Sequence, residues 1–264
     1  MYTLRLGKSI SARAENFYEL IDKAKTLGFQ SVDFDLCIGG FFYSDEDILE
    51  CKKRLQYILD SGLFLNGVHI PYGGDGRDVS RLDEQMRRLA VKNITELTKI
   101  VDEYRPFCYI LHGSFEPIMD KDRKTQLKQL VRSMKELSGV SKSPIVLENL
   151  PRTCLLNTSA EMLWLCKKVK NLRFCLDTNH FLRERTHEAI EKLKGKIVTM
   201  HVSDHNYVNE QHWLPGKGAI EWDKLLSALE KIGYNGVFNY ELGVELEEVK
   251  ANFDELFTTY NQGE

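Results

Sequence analysis

The sequence predicts a single (β/α)8 TIM barrel, one domain spanning residues 1–264, and three observations carry that prediction. Its 264 residues are about the usual length of one such barrel, roughly 250 residues. Short apolar runs of β type alternate with helical patterns from end to end, as repeated βα units around a parallel sheet require. Six predicted strands end in a carboxylate or an imidazole: Val68-His69, Leu111-His112, Leu147-Glu148, Leu176-Asp177, Met200-His201 and Tyr240-Glu241. Such groups are costly to leave dry and unpaired where a buried strand runs out. In a closed barrel every strand C-terminus faces one mouth, where polar side chains belong to a site rather than to the core.

The elements follow in order. The first strand, residues 3–6, is short. A helix over 14–27 comes next, with Phe17, Leu20, Ile21 and Ala24 at helical spacing and Gly28 as its stop. Residues 31–36 form the second strand, and Ser44 caps a helix over 45–61. Pro71 closes a third strand over 67–70. Residues 72–78, with three glycines, read as a mobile loop. A long helix over 79–104 leads to strand four, 108–111, and a polar helix over 121–137 leads to strand five, 145–147. Thr158 or Ser159 caps a helix reaching Val169, and strand six then runs into Asp177. A helix over 183–193, strand seven over 197–200, a long loop and a helix over 221–232 follow. Strand eight over 237–240 and a closing helix over 246–260 complete eight units.

Composition narrows the function. Hydrophobic residues make up 42%, enough for one sizeable core and no bulk disorder. A net charge of −3 and a pI near 6.2 argue against a protein built to hold a nucleic acid backbone. No apolar run approaches the roughly 20 residues of a membrane span, and the N-terminus lacks the apolar segment of a signal peptide. Cys37, Cys51, Cys108, Cys154, Cys166 and Cys175 are scattered without a C-x-x-C pair or a small-domain framework, so they read as reduced and structural. The expected setting is cytoplasmic.

Barrel closure would bring His69, His112, Glu148, Asp177, His201 and Glu241 together. The inner set is Glu148, Asp177, His201 and Glu241, one from each of the last four strands. Mixed carboxylate and imidazole donors suit Mn²⁺, the first expectation, with Zn²⁺, Co²⁺ or Mg²⁺ as alternatives. Asp204 is expected to orient His201, as metal-bound imidazoles usually require. Lys217, between Gly216 and Gly218, lies in a region where barrels often hold phosphate. Arg152 follows Glu148-Asn-Leu-Pro closely enough to reach a substrate. Phe41, Phe42, Tyr72, Phe115 and Trp213 sit on loops at the mouth, where aromatic faces can stack on a ring of the substrate.

At these residues the chain resembles the xylose-isomerase-like barrel superfamily, which holds sugar and sugar-phosphate isomerases and epimerases and the endonuclease IV class of abasic-site nucleases. The resemblance runs from about residue 67 to 242. It is carried by His69-Ile-Pro-Tyr72, His112-Gly-Ser114, Leu147-Glu148-Asn149, Cys175-Leu-Asp177-Thr-Asn-His180, His201-Val-Ser-Asp204, Gly216-Lys-Gly218-Ala-Ile220 with Trp222, and Tyr240-Glu241. It implies metal binding by Glu148, Asp177, His201 and Glu241 and substrate contact by His180. The substrate would be a small sugar or sugar phosphate; from charge and hydropathy, neither a nucleic acid nor a membrane partner is expected, and a homo-oligomer is compatible with the family.

The mechanism it implies has a metal gripping a carbonyl and its neighbouring hydroxyl and stabilising an enediolate. Glu148 and Glu241 would move the proton. Return to the same carbon gives epimerisation and return to the next gives aldose–ketose isomerisation; the residues do not choose.

The competing reading is a metal-dependent phosphodiesterase of the endonuclease IV kind. Its ligand positions would fall on His69, His112, Glu148, Asp177, His180, His201, Glu210, His212 and Glu241, with Glu210 where that family has Asp. Against it, the Gly-x-His-x-Ser of its first strand is Leu6-Gly-Lys8-Ser here. The DNA-inserting loop is replaced by residues 37–43, aromatic and without Arg or Lys. A related dehydratase or lyase stays open.

Overall fold

A computed structural model describes residues 1–36, 41 and 44–263. Eight parallel strands pair in sequence order, and β1 (Arg5–Ser11) closes the ring against β8 (Val237–Tyr240). Between them run β2 (Ser31–Asp35), β3 (Phe64–His69), β4 (Cys108–His112), β5 (Ile145–Glu148), β6 (Phe174–Asp177) and β7 (Ile197–Val202). The helices form the outer ring: α1 (Phe17–Thr26), α2 (Asp45–Ser61), α3 (Glu84–Val101), α4 (Asp120–Glu136), α5 (Ser159–Cys166), α6 (Thr186–Lys192), α7 (Trp222–Ile232) and α8 (Leu246–Gln262). None of them is long and apolar enough to cross a membrane.

Local chemistry explains the boundaries. Ser44 begins α2 through a reciprocal cap: its hydroxyl accepts from the Asp47 amide at 3.1 Å while Asp47 Oδ2 accepts from the Ser44 amide at 3.1 Å. The expected helix over 79–104 is shorter. Asp78 folds back on the Ser80 amide at 2.8 Å, and α3 starts only after Asp83, whose carboxylate accepts from the Gln85 and Met86 amides. Thr158, not Ser159, caps α5, which ends at Cys166, short of Val169. β1 is longer than expected, running to Ser11, because backbone pairing with β2 and β8 is indifferent to the polarity of Lys8 and Ser9.

Most of the apolar core lies between sheet and helices, where Phe34, Leu55, Ile58, Leu97 and Phe238 are buried. Inside the barrel the apolar layer is small, made of Cys108, Ile110, Val146 and Cys175. Above it the filling turns polar. Gly67 makes room there, since a Cβ would sit 2.7 Å from Ile110 Cδ1 and 2.9 Å from Asp33 Cγ. Strand register then levels the chemistry at the mouth: His112 lies opposite Glu148, and Asp177 opposite His201.

Candidate active site

Strand ends bring the expected residues to one place. One ligand atom each from Glu148, Asp177, His201 and Glu241 lie within 4.8 Å of one another. Glu241 comes just after β8, its amide bonded to the Val202 carbonyl at 3.1 Å. Glu148 is the hub. Its Oε2 meets His69 Nε2 at 3.1 Å and His112 Nε2 at 3.0 Å, and its Oε1 meets His201 Nδ1 at 3.1 Å. His201 Nδ1 also lies 3.0 Å from Glu241 Oε2. Glu148, Glu241, His69 and His112 line a cavity of about 310 Å³ together with Asp35, Tyr72, Phe115, Glu116, Arg152, His180, Glu210 and His212, while Asp177 and His201 are buried behind that lining. That volume is at the low end of small-molecule sites, roughly 300–1,000 Å³.

Asn149 ties the neighbouring strand end down. Its side chain donates to the Asp177 carbonyl at 2.9 Å and accepts from the Asp177 amide at 2.8 Å. Its own carbonyl accepts from His180 Nδ1 at 2.8 Å, which leaves His180 Nε2 facing Glu210 at 3.4 Å.

Electrostatics follow from the crowding. Burial works against the charged form of Glu148, but the His201 and His112 imidazoles outweigh it and hold the carboxyl well below its usual range. Glu241 is likewise opposed by burial and drawn down to about 2, chiefly by His201. Burial pulls His69 down, and its bond to Glu148 carries it up to about 9. For His180 the balance against burial comes from Asp177 and Glu210 and brings it to about 10. His112, where burial dominates, stays below the ordinary value. Asp177 goes the other way. Burial, with Glu148 and Glu241 beside it, pushes its carboxyl well above 3.8 despite His180.

Asp177 Oδ1 accepts from the Asn179 amide at 2.6 Å, whereas buried Oδ2 has no hydrogen bond of its own, its 3.3 Å neighbour His180 Nδ1 donating instead to the Asn149 carbonyl. Three carboxylates and an imidazole converging with one orphan oxygen are the donor set a divalent cation satisfies. Residues and metal fit. A second group, His69, His112 and Glu148, also has ligand atoms within 4.8 Å.

Residues 21–256 match the profile of the family described as xylose isomerase-like TIM barrel. The chain belongs to that family. A D-psicose 3-epimerase of Ruminiclostridium cellulolyticum is 29% identical over 231 residues, covering 82% of this chain and 74% of the relative. One from Enterocloster bolteae is 24% identical over 239 residues, 84% of this chain and 75% of the relative. The crystal structure of a D-tagatose 3-epimerase-like protein superposes with a TM-score of 0.79 at 21% identity over 98% of this chain and 97% of that one, a likeness of fold.

Within this xylose isomerase-like barrel the outer residues divide. Arg152 lines the cavity but is paired twice, with Glu116 and with Glu210 at 2.7 Å. His212 is exposed, its Nδ1 bonded to the Glu241 carbonyl at 3.1 Å. Among the described residues, His180, Glu210 and His212 do not form a ligand group. Lys217 is exposed, and neither it nor Trp213 is among the described residues lining the cavity. Tyr72 and Phe115 do line it; Phe41 packs against the core, and Phe42 and Cys37 lie outside the described residues.

Asp204 does not orient His201. Its carboxylate accepts from the Gly216 and Gly218 amides at 2.9 Å, the Ile220 amide at 3.2 Å and Trp222 Nε1 at 2.9 Å, so it braces its own loop. Asp33 takes the role instead. Its Oδ2 meets His201 Nε2 at 3.1 Å, and its Oδ1 accepts from Asn66 Nδ2 at 2.6 Å. Lys8 is also buried near the mouth, donating to the Leu242 carbonyl at 2.6 Å. Sequence reading gives neither a site role: Asp33 lies inside the second strand, and Lys8 lies beyond the expected end of the first.

Proposed function

We propose that the chain is a divalent-metal-dependent sugar epimerase or isomerase that moves a proton at a carbon beside a carbonyl. The observation that carries this reading is the Glu148–Asp177–His201–Glu241 group, of which Glu148 and Glu241 line the cavity. Relatives named D-psicose 3-epimerase support it. His201 would hold the ion through Nδ1, because Nε2 is engaged by Asp33; Glu148, Asp177 and Glu241 would supply oxygens. When bound there, a hard divalent cation such as Mn²⁺ or Mg²⁺ would polarise the carbonyl and its neighbouring hydroxyl as a Lewis acid.

The protein's own groups then do the proton work. Glu148 is kept ionised by its imidazole neighbours and is ready to take a proton from carbon. Glu241, also ionised, is the second carboxylate on the cavity wall, suited to exchange a proton from a different direction. His180, fixed by Asn149, presents Nε2 to a substrate hydroxyl.

The lining favours an unphosphorylated sugar. Asp35, Glu116, Glu148, Glu210 and Glu241 all face the cavity, while Arg152 is spent on Glu116 and Glu210. The loop amides that would cradle a phosphate are already bonded to Asp204.

The test is solvent deuterium exchange into unphosphorylated ketoses by the Mn²⁺-loaded protein. Glu148→Gln and Glu241→Gln should each lower exchange by about 10²–10⁴-fold with the circular dichroism unchanged. Retention of full exchange by both variants would reject the carboxylate roles. The His69–His112–Glu148 group favours one second reading, a multi-metal phosphodiesterase. Nicking of abasic DNA without sugar turnover would establish it in place of the first.

A further inference from the structure

Beneath the carboxylate group lies a donor that the proposed reaction does not use. Cys175 stands two residues before Asp177 on β6, on the same inward face, fully buried against Cys108, Ile110 and Val146. Its sulfur, an oxygen of Glu148 and a ring nitrogen of His201 lie within 4.8 Å of one another. We propose that Glu148, Cys175 and His201 form a second, softer metal position under the first, taken by thiophilic divalent ions such as Cd²⁺ or Co²⁺ and not by Mn²⁺ or Mg²⁺. The inference rests on the proposed reading of the upper group as a metal centre, since the two share Glu148 and His201.

Charge and softness both point this way. The upper set places three carboxylates around a dication and leaves one negative charge over. The lower set, with Glu148, a thiolate and a neutral imidazole, balances the dication, and a balanced charge is the cheaper arrangement where water is excluded. As the sulfur–metal bond forms the S–H bond breaks, and the proton is released to solvent. Sulfur prefers thiophilic ions, and oxygen prefers Mg²⁺ and Mn²⁺. The choice of ion therefore selects the level at which it sits. An ion at the lower level would give up the Asp177 and Glu241 oxygens and draw Glu148 away from substrate, so Cd²⁺ would act as an inhibitor lodged in the active site itself.

Metal-free wild type, Cys175→Ala and Cys175→Ser are each loaded with CoCl2 for absorption spectroscopy, and Mn²⁺ binding is followed separately by paramagnetic resonance. Wild type should show a sulfur-to-cobalt charge-transfer band that both variants lack, while all three bind Mn²⁺ alike. Cd²⁺ should bind wild type roughly tenfold or more tightly than either variant, the size of effect expected for a residue that supports a metal site. Cobalt spectra that match between wild type and Cys175→Ala would overturn the lower position and leave the upper centre standing. Failure of wild type to bind either Mn²⁺ or Co²⁺ would overturn both.

Discussion

Asp33 hangs below the candidate centre and decides which nitrogen of His201 is presented upward. Metal-binding imidazoles usually hold their other N–H on such a partner, and its loss typically costs 10–100-fold in affinity. Asp33→Asn should therefore weaken Mn²⁺ binding by about that factor in calorimetric titration; an unchanged affinity would show that His201 is oriented without it. Lys8 is a different case. Burial lowers its ammonium from 10.5 to about 8, partly opposed by Glu241 and Asp35. The unfolded chain thus holds more protons than the folded one between those pH values, so the contribution of this residue to stability rises with pH across that window. Relative to Lys8→Met, the metal-free wild type should gain on the order of 3 kcal/mol from pH 8 to 10.5, measured by denaturant unfolding at each pH. Neither residue announced itself in the sequence. Ser31-Val-Asp33-Phe-Asp35 alternates polar with apolar, as a strand with one face in water does, but here the polar face turns into the barrel. Lys8 and Ser9 broke the apolar run that would have extended the first strand. The carboxylates and imidazoles that end strands three to eight were legible because each follows an unbroken buried stretch, and register alone then brings them level.

At the scale of elements, the segment after β7 owes its shape to Asp204. Five donors converge on that one carboxylate, the His205 amide among them at 2.8 Å, and Gly218 is required beneath it: a Cβ would lie 2.4 Å from both Asp204 Oδ1 and the His205 carbonyl. Gly218→Ala or Asp204→Ala should each destabilise by about 3 kcal/mol or more, since bonds to a charged group are worth about 1.5–3 kcal/mol apiece and are not additive. Lys217→Ala, one residue away, should stay within about 0.5 kcal/mol. Thermal melts of the three would compare them directly, and a large loss for Lys217→Ala would contradict the assignment. Sequence reading expects Asp204 to serve His201 because metal-bound imidazoles usually need such a partner; it cannot reveal that the chain doubles back and that the backbones of Trp213 and Asp204 pair at 2.7 and 3.1 Å.

For the whole molecule, the centre is a stability device as well as a chemical one. Asp177 and its carboxylate neighbours repel one another without a cation, so Mn²⁺ should raise the melting temperature, with about 2.7 kcal/mol gained at a hundredfold excess over Kd. Asp177→Asn should melt higher than wild type in chelator and respond less to added Mn²⁺; an equal response would place the ion elsewhere.

The Arg152 guanidinium spans three loops at the rim, gripping Glu116 from the segment after β4 and Glu210 and Asn209 from the segment after β7. Such a knot makes the entrance an inherited unit. Transplanting one connection from a cousin with another sugar preference would leave the other two holding a stranger's hand, so swaps of taste between such barrels ought to succeed only when all three segments travel together.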